Sequence, residues 1–166
     1  MVLSNEPINE LTLPMSDLSI VPASERDVDA ICHLLHELFT QEADFSTNQD
    51  KQARAVRAIL ASPEHGQILL LKVDDQIAGM VSLLYLISTA MGGKVAMLED
   101  MIIAASYRSR GLGKQLLSAA IDFARQQGCL RITLLTDADN ERAQQFYQQQ
   151  GFVHSAMLPM RRVFEN

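Results

Sequence analysis

The chain has 166 residues, enough for one domain with one core, and 48% hydrophobic with 20% charged residues is an ordinary globular balance. A net charge of −6 weighs against nucleic acid as the main partner, because phosphate backbones reward a basic surface. No stretch approaches the ~20 apolar residues of a membrane helix, so no membrane partner is expected.

The start, MVLSNEPINELTLPMSDLS, lacks a basic opening and a continuous apolar run, and is read as carrying no signal peptide. Cys32 and Cys129 stand outside any CxxC or Cys/His metal spacing and read as buried free thiols in a reducing compartment. The expected location is cytoplasmic. No metal site is expected. His33, His36 and Glu37 have the wrong order for either HExxH or HxxEH zinc motifs.

Residues 1–16 read as a polar N-terminal extension, and residues 17–166 as the folded domain. Residues 18–21 suit a short strand. Ser24 is a helix N-cap candidate, with Asp27 three residues on as a weaker capping box. Val28, Ile31, Leu34, Leu35 and Leu38 follow at helical spacing. A second helix is predicted over 50–61, with Ala55, Ile59 and Leu60 on one face.

The period then changes from helix to strand. ILLLKV at 68–73, a turn at Asp74-Asp75, IAGMVSLLYLI from Ile77, a turn at Met91-Gly92-Gly93, and KVAMLEDMII ending near Ile103 predict a three-stranded antiparallel meander. A helix is predicted over 111–127, with Leu116, Leu117, Ala120 and Ala124 buried and Gly128 ending it. A strand over 130–136 comes next. A short helix capped by Asp139 or Asn140 follows, ending at Gly151. FVHSAM and PMRRVF read as a last pair of strands. The fold class is α/β: one domain with a mixed, mostly antiparallel sheet flanked by helices.

SYRSRGLGKQLL, at 106–117, sets Gly111 and Gly113 among Arg108, Arg110 and Lys114 where a helix begins. A helix start leaves amides unpaired and carries partial positive charge, and glycine lets backbone approach an anion closely. The turn therefore suggests a phosphate site, although a tight turn with solvated cations reads the same way. A P-loop is excluded because Gln115 follows Gly113-Lys114 and Arg108 stands where its first glycine belongs. A dinucleotide turn fits poorly: Leu116 occupies the third glycine position, and AASYRSR separates the strand from Gly111.

Arg108-Ser109-Arg110-Gly111-Leu112-Gly113 resembles the acyl-CoA motif of the GNAT superfamily of acetyl-CoA-dependent N-acetyltransferases. Asn140, Ala143, Phe146-Tyr147 and Gly151-Phe152 resemble that family's second block. The resemblance spans about 17–164, and its specific part is 97–152. It implies acetyl transfer from acetyl-CoA, as co-substrate, to a primary amine by direct attack through a ternary complex.

The resemblance also implies residue roles. The backbone of Met101, Ile102 and Ile103 would pair with the pantetheine arm. Backbone amides of Ser109, Arg110, Gly111, Leu112, Gly113 and Lys114, with Arg108 beside them, would hold the pyrophosphate. Asn140 would contact the cofactor, and Tyr147 would face the CoA sulfur. A tyrosine hydroxyl can protonate a departing thiolate, and a backbone amide near Ile103 can stabilise the oxyanion. Glu99 is the candidate base, since period-two alternation sets it on one strand face with Met97, Met101 and Ile103. Leu135 stands where some members carry a glutamate. The acceptor is an amine of unspecified identity, from small molecule to protein. The resemblance leaves a homodimer through the sheet edge open. The alternative is a catalytically weak CoA-binding sensor or regulatory module.

Overall fold

The computed structural model describes residues 17–41 and 48–164. The predicted N-terminal extension lies outside the described residues. One five-stranded sheet runs β1 (Leu18–Pro22), β2 (Gly66–Val73), β3 (Gln76–Ser88), β4 (Gly93–Ile103) and β5 (Ile132–Leu134), in that spatial order. The first four strands pair antiparallel, while β5 runs parallel to β4. The helices are α1 (Val28–Gln41), α2 (Gln49–Ala61), α3 (Leu112–Gln126) and α4 (Glu141–Gln149).

Strand alternation divides the apolar residues between two faces. Leu69, Leu71, Val81 and Leu83 pack with Leu116, Leu117, Ala120 and Ala124 of α3. Ile68, Leu70 and Met80 pack with Ile31, Leu34 and Leu35 of α1 and Val56 of α2. Leu116 and Leu117 are fully buried, each adding roughly 1.5–3 kcal/mol of transfer free energy. The turn between β2 and β3 uses positive φ at Asp74 (50°) and Asp75 (62°), matching the twist of a two-residue hairpin.

Local chemistry fixes the entry to α1. Ser24 donates to Asp27 Oδ2 from its backbone N–H (2.9 Å) and its hydroxyl (2.8 Å). A short 3-10 turn, Glu25–Asp27, leads into the helix. Burial alone would raise the Asp27 pKa. The Ser24 hydrogen bonds and the charges of Lys72 and Arg26 outweigh it and hold the carboxyl below its ordinary value.

One irregularity in β4 decides which of its residues serve each side of the sheet. Val81 pairs with Met101 and Leu83 with Leu98, so Ser82 alone faces both Glu99 and Asp100. This is a β-bulge, and it is pinned from both sides. The Asp100 amide donates to Ser82 Oγ (3.0 Å), and Ser82 Oγ donates to Asp100 Oδ2 (3.1 Å). The bulge shifts the alternation: Leu98 and Met101, three residues apart, both belong to the α3-side core. The expectation that Glu99 shares a face with Met97, Met101 and Ile103 assumed a regular strand. The inserted residue breaks that period.

Two further expectations are corrected. The strand predicted over 130–136 covers only Ile132–Leu134 and pairs with Ala96, Met97 and Leu98. The bulge turns β4 away after Leu98, so Leu135 gains no partner and is 56% exposed. The last pair of strands does not form, and residues 152–164 are irregular. Val153, Leu158 and Met160 are exposed there. Strand propensity needs a paired neighbour, and the short β5 offers three residues of edge.

Candidate active site

Two cavities flank β4. The first, about 340 Å³, is lined by Met101, Ile102, Ile103, Gly113, Asn140, Arg142, Ala143, Phe146 and Tyr147. It brings together residues of β4, α3 and α4 that are far apart in sequence. On one edge, Met101, Ile102 and Ile103 pair with Val81, Met80 and Gly79. On the other edge, pairing with β5 stops at Leu98. The backbone of β4 from the bulge onward therefore presents an open edge to this cavity, among the described residues.

The glycine turn borders the same space. Gly111 is the N-cap of α3 at φ 74°, and no side chain caps the helix. Ser109 also has positive φ, 62°. Alternation of left-handed residues before an uncapped helix start turns amides toward one point, an arrangement that binds anions. Position 113 is less constrained by the protein. A Cβ there would meet only Phe146 Cζ at 3.7 Å and Ile103 Cγ1 at 3.8 Å, which is ordinary contact. These features fit the diphosphate and extended arm of acetyl-CoA as a substrate.

The cations differ in how free they are. Arg108 Nε donates to the Ile103 carbonyl (2.9 Å), and Nη2 lies 3.8 Å from Glu37 Oε2. Arg110 donates to the Ser106 carbonyl (3.1 Å) and stacks over the Tyr107 ring at 5.4 Å. Lys114 is exposed on the first turn of α3. Arg108 thus braces the loop after β4 and ties it to α1 through Glu37, which also accepts from the Ala105 amide (3.4 Å). Sequence reading weighed Glu37 beside His33 and His36 and missed this bracing position.

Asn140 caps α4, its Oδ1 accepting from the Ala143 amide at 3.0 Å, which leaves its amide NH₂ for the cavity. Tyr147 sits edge-on between Phe146 (5.2 Å) and Phe152 (5.7 Å). Burial pushes its hydroxyl pKa above the ordinary tyrosine value, so the proton stays on at neutral pH.

The second cavity, about 240 Å³, lies between α1, α2 and the sheet. Leu35, Val56, Ile59, Ile68 and Met80 supply apolar wall, while Ser82 and Asp100 stand on its sheet side. Gln52, Lys51 and Asn48 reach it from α2. Glu99 lines neither cavity and is exposed. Asp100 and Met101 are consecutive, yet one lines the cavity under α2 and the other the cavity under α3 and α4. The pairing of β4 with β5 ends at Leu98, two residues before Asp100. Ser82 was the one available sequence signal, a lone polar residue inside the apolar run IAGMVSLLYLI. Among the described residues no group of three or more His, Cys, Asp or Glu side chains is arranged to hold a metal ion.

The sheet, open beside β5 and flanked by four helices, is an acetyltransferase fold. An aminoglycoside N-acetyltransferase solved in complex with CoA matches it with a TM-score of 0.77, at 20% identity, covering 91% of this chain and 98% of that one. An uncharacterised N-acetyltransferase of Bacillus subtilis, YhfO, is 28% identical over 137 residues, 81% of this chain and 89% of the relative. An aminoalkylphosphonate N-acetyltransferase of Salmonella typhimurium is 27% identical over 133 residues, 80% of this chain and 83% of the relative. A model of the acetyltransferase (GNAT) family matches residues 28–152. The chain belongs to that family and is an acetyl-CoA-dependent N-acetyltransferase. No helix among the described residues is long and apolar enough to cross a membrane.

Proposed function

We propose that the protein acetylates a primary amine on a small molecule by direct attack, with the thioester on one side of β4 and the amine on the other. The observation that carries this reading is the bulge. It turns Asp100 toward the cavity under α2 while Met101 lines the cavity under α3 and α4. The relative that acts on an aminoalkylphosphonate supports a small acceptor.

The roles follow from chemistry. The open edge at Met101, Ile102 and Ile103 orients an extended pantetheine arm, and the amides of Ser109, Arg110, Gly111, Leu112, Gly113 and Lys114 hold its diphosphate. Arg108 keeps that loop in register, and the free amide of Asn140 donates to the same ligand. Asp100, its carboxylate oriented by Ser82, attracts the acceptor ammonium and takes its proton, replacing Glu99 in that role. The amine nitrogen then bonds to the acetyl carbon as the carbon–sulfur bond breaks. Tyr147 gives its proton to the departing thiolate, and the second proton shed by the acetylated nitrogen restores the phenol. Holding the nucleophile against the carbonyl also removes the entropy cost of a bimolecular encounter.

Initial-rate kinetics test the scheme. Varying amine against acetyl-CoA should give intersecting double-reciprocal lines, as a ternary complex requires. Parallel lines, with acetyl retained on the protein after gel filtration, would sink direct attack.

A further inference from the structure

The cavity under α2 is more selective than a general amine site, provided that it is the acceptor side of the transfer proposed for this enzyme. Its wall is largely apolar, from Leu35, Val56, Ile59, Ile68 and Met80, with the Lys51 cation at its α2 end, a further charge against a second ammonium. Among the described residues Asp100 is the one carboxylate that lines it. A polycationic acceptor would bury ammonium groups with no counter-charge, which burial penalises heavily. At about 240 Å³ it holds roughly eight waters' worth of volume, enough for a compact amine to sit inside while a multi-ring sugar would project out of it.

Gln52 adds the second observation. It lines the cavity, is only 9% exposed, and its side-chain amide has no hydrogen-bond partner among the described residues. Its neighbours are already engaged: Asn48 Oδ1 accepts from the Lys51 amide (3.0 Å), and the Ser82 hydroxyl serves Asp100. Its amide is not sealed from solvent, since the one fully buried side-chain polar atom without a partner among the described residues is the Tyr85 hydroxyl, so a ligand group seated in the cavity can take the place of water on Gln52.

We infer that the acceptor is a compact primary amine with an apolar body and one neutral hydrogen-bonding group, its amine at Asp100 and that group at Gln52. An amino-acid amide or ester with a branched or aromatic side chain has this chemistry. A polyamine or aminoglycoside does not. Selectivity then arises from Gln52, because a site built to hydrogen-bond a substrate discriminates strongly against an analogue that lacks the group.

The test uses the full chain, acetyl-CoA and four acceptors: leucinamide, 3-methylbutylamine, kanamycin and an alanine-led hexapeptide. Thiol release should give the highest kcat/KM with leucinamide, roughly tenfold or more above 3-methylbutylamine, with kanamycin and the peptide lower still. Gln52→Leu should erase the leucinamide advantage while the plain amine keeps its rate. A merely structural Gln52 would instead lower both rates together, and that result overturns the inference. Ala55→Phe, on a position that lines the cavity, should cut both small amines at least tenfold and leave the acetyl-CoA-induced rise in melting temperature intact. A preference for kanamycin or the peptide, or an Ala55→Phe enzyme of normal rate, also overturns it. If no amine releases thiol, thermal shift separates the two claims. A leucinamide-induced shift abolished by Ala55→Phe supports the pocket chemistry and sinks the transfer scheme, and no leucinamide shift sinks the inference.

Discussion

The cavity under α3 and α4 is framed largely by backbone, the one under α2 by side chains. The first depends on the free edge of Met101 to Ile103 and on an uncapped helix start at Gly111 with φ 74°. The second depends on which side chains happen to face inward: Asp100 through a bulge, Gln52 through its position on α2, Leu35 through α1. Backbone geometry needs particular residues, above all glycine, so it leaves a motif. A side-chain wall can be made from many residues in many orders. In the proposed scheme, one side of β4 binds a shared co-substrate, and the other is free to vary its acceptor.

The strongest way to break this contrast is Gly113→Asp. A Cβ at that position makes only ordinary contacts, so the fold should survive. Acetyl-CoA affinity should fall by about 100-fold or more, because a carboxylate beside a diphosphate costs several kcal/mol. Calorimetry showing wild-type affinity would move the diphosphate site elsewhere. Tyr147→Phe is the next largest. Turnover should drop by roughly 10²-fold for a lost general acid, with acetyl-CoA affinity and melting temperature nearly unchanged. A phenylalanine enzyme of near-normal rate would reduce Tyr147 to packing between Phe146 and Phe152.

Two stability measurements sharpen the contrast between the faces. Asp27 governs the entry to α1, which carries Leu35 to the cavity and Glu37 to Arg108. Asp27→Asn should cost about 1 kcal/mol at neutral pH. Because the folded pKa of Asp27 lies below the ordinary value of 3.8, its contribution is present above 3.8 and is lost as pH falls through the folded value. The wild type should lose more stability than the Asn variant in that window, as urea titrations at pH 7 and pH 3 would reveal. On the α3 face, the Tyr85 hydroxyl is buried without a partner among the described residues. Burial and the nearby Cys129 push its pKa up to about 12. Tyr85→Phe should leave stability unchanged or raise it by up to about 1 kcal/mol at pH 7. It should also remove part of the stability loss between pH 10 and 12.

Much of the fold was legible. The period change at Ile68 announced the meander. Ser24 with Asp27 announced the head of α1, and Leu116, Leu117, Ala120 and Ala124 announced the buried stripe of α3. The turn before α3 was legible because Gly111 answers a backbone requirement, a φ of 74°. The bulge was not legible. Period-two counting through MLEDMII assumes a regular strand, and the cross-strand partner Ser82 reveals the extra residue, so Glu99 was favoured where Asp100 lines the cavity. The terminal strands misled for the opposite reason: Val153, Met157 and Val163 have strand-like chemistry, but no paired edge accompanies them. Gln52 carried no sequence signal, since an amide on a helix is ordinarily solvated.

The central claim is that the bulge gives the acceptor side Asp100 rather than Glu99. The direct measurement is the pH profile of kcat/KM for leucinamide with Asp100→Asn and Glu99→Gln side by side, each checked for unchanged melting temperature and acetyl-CoA binding. Asp100→Asn should lose roughly 10²-fold near neutral pH and recover as rising pH deprotonates the amine, while Glu99→Gln follows the wild-type curve. The reverse pattern, a depressed Glu99→Gln profile beside a normal Asp100→Asn one, would contradict it.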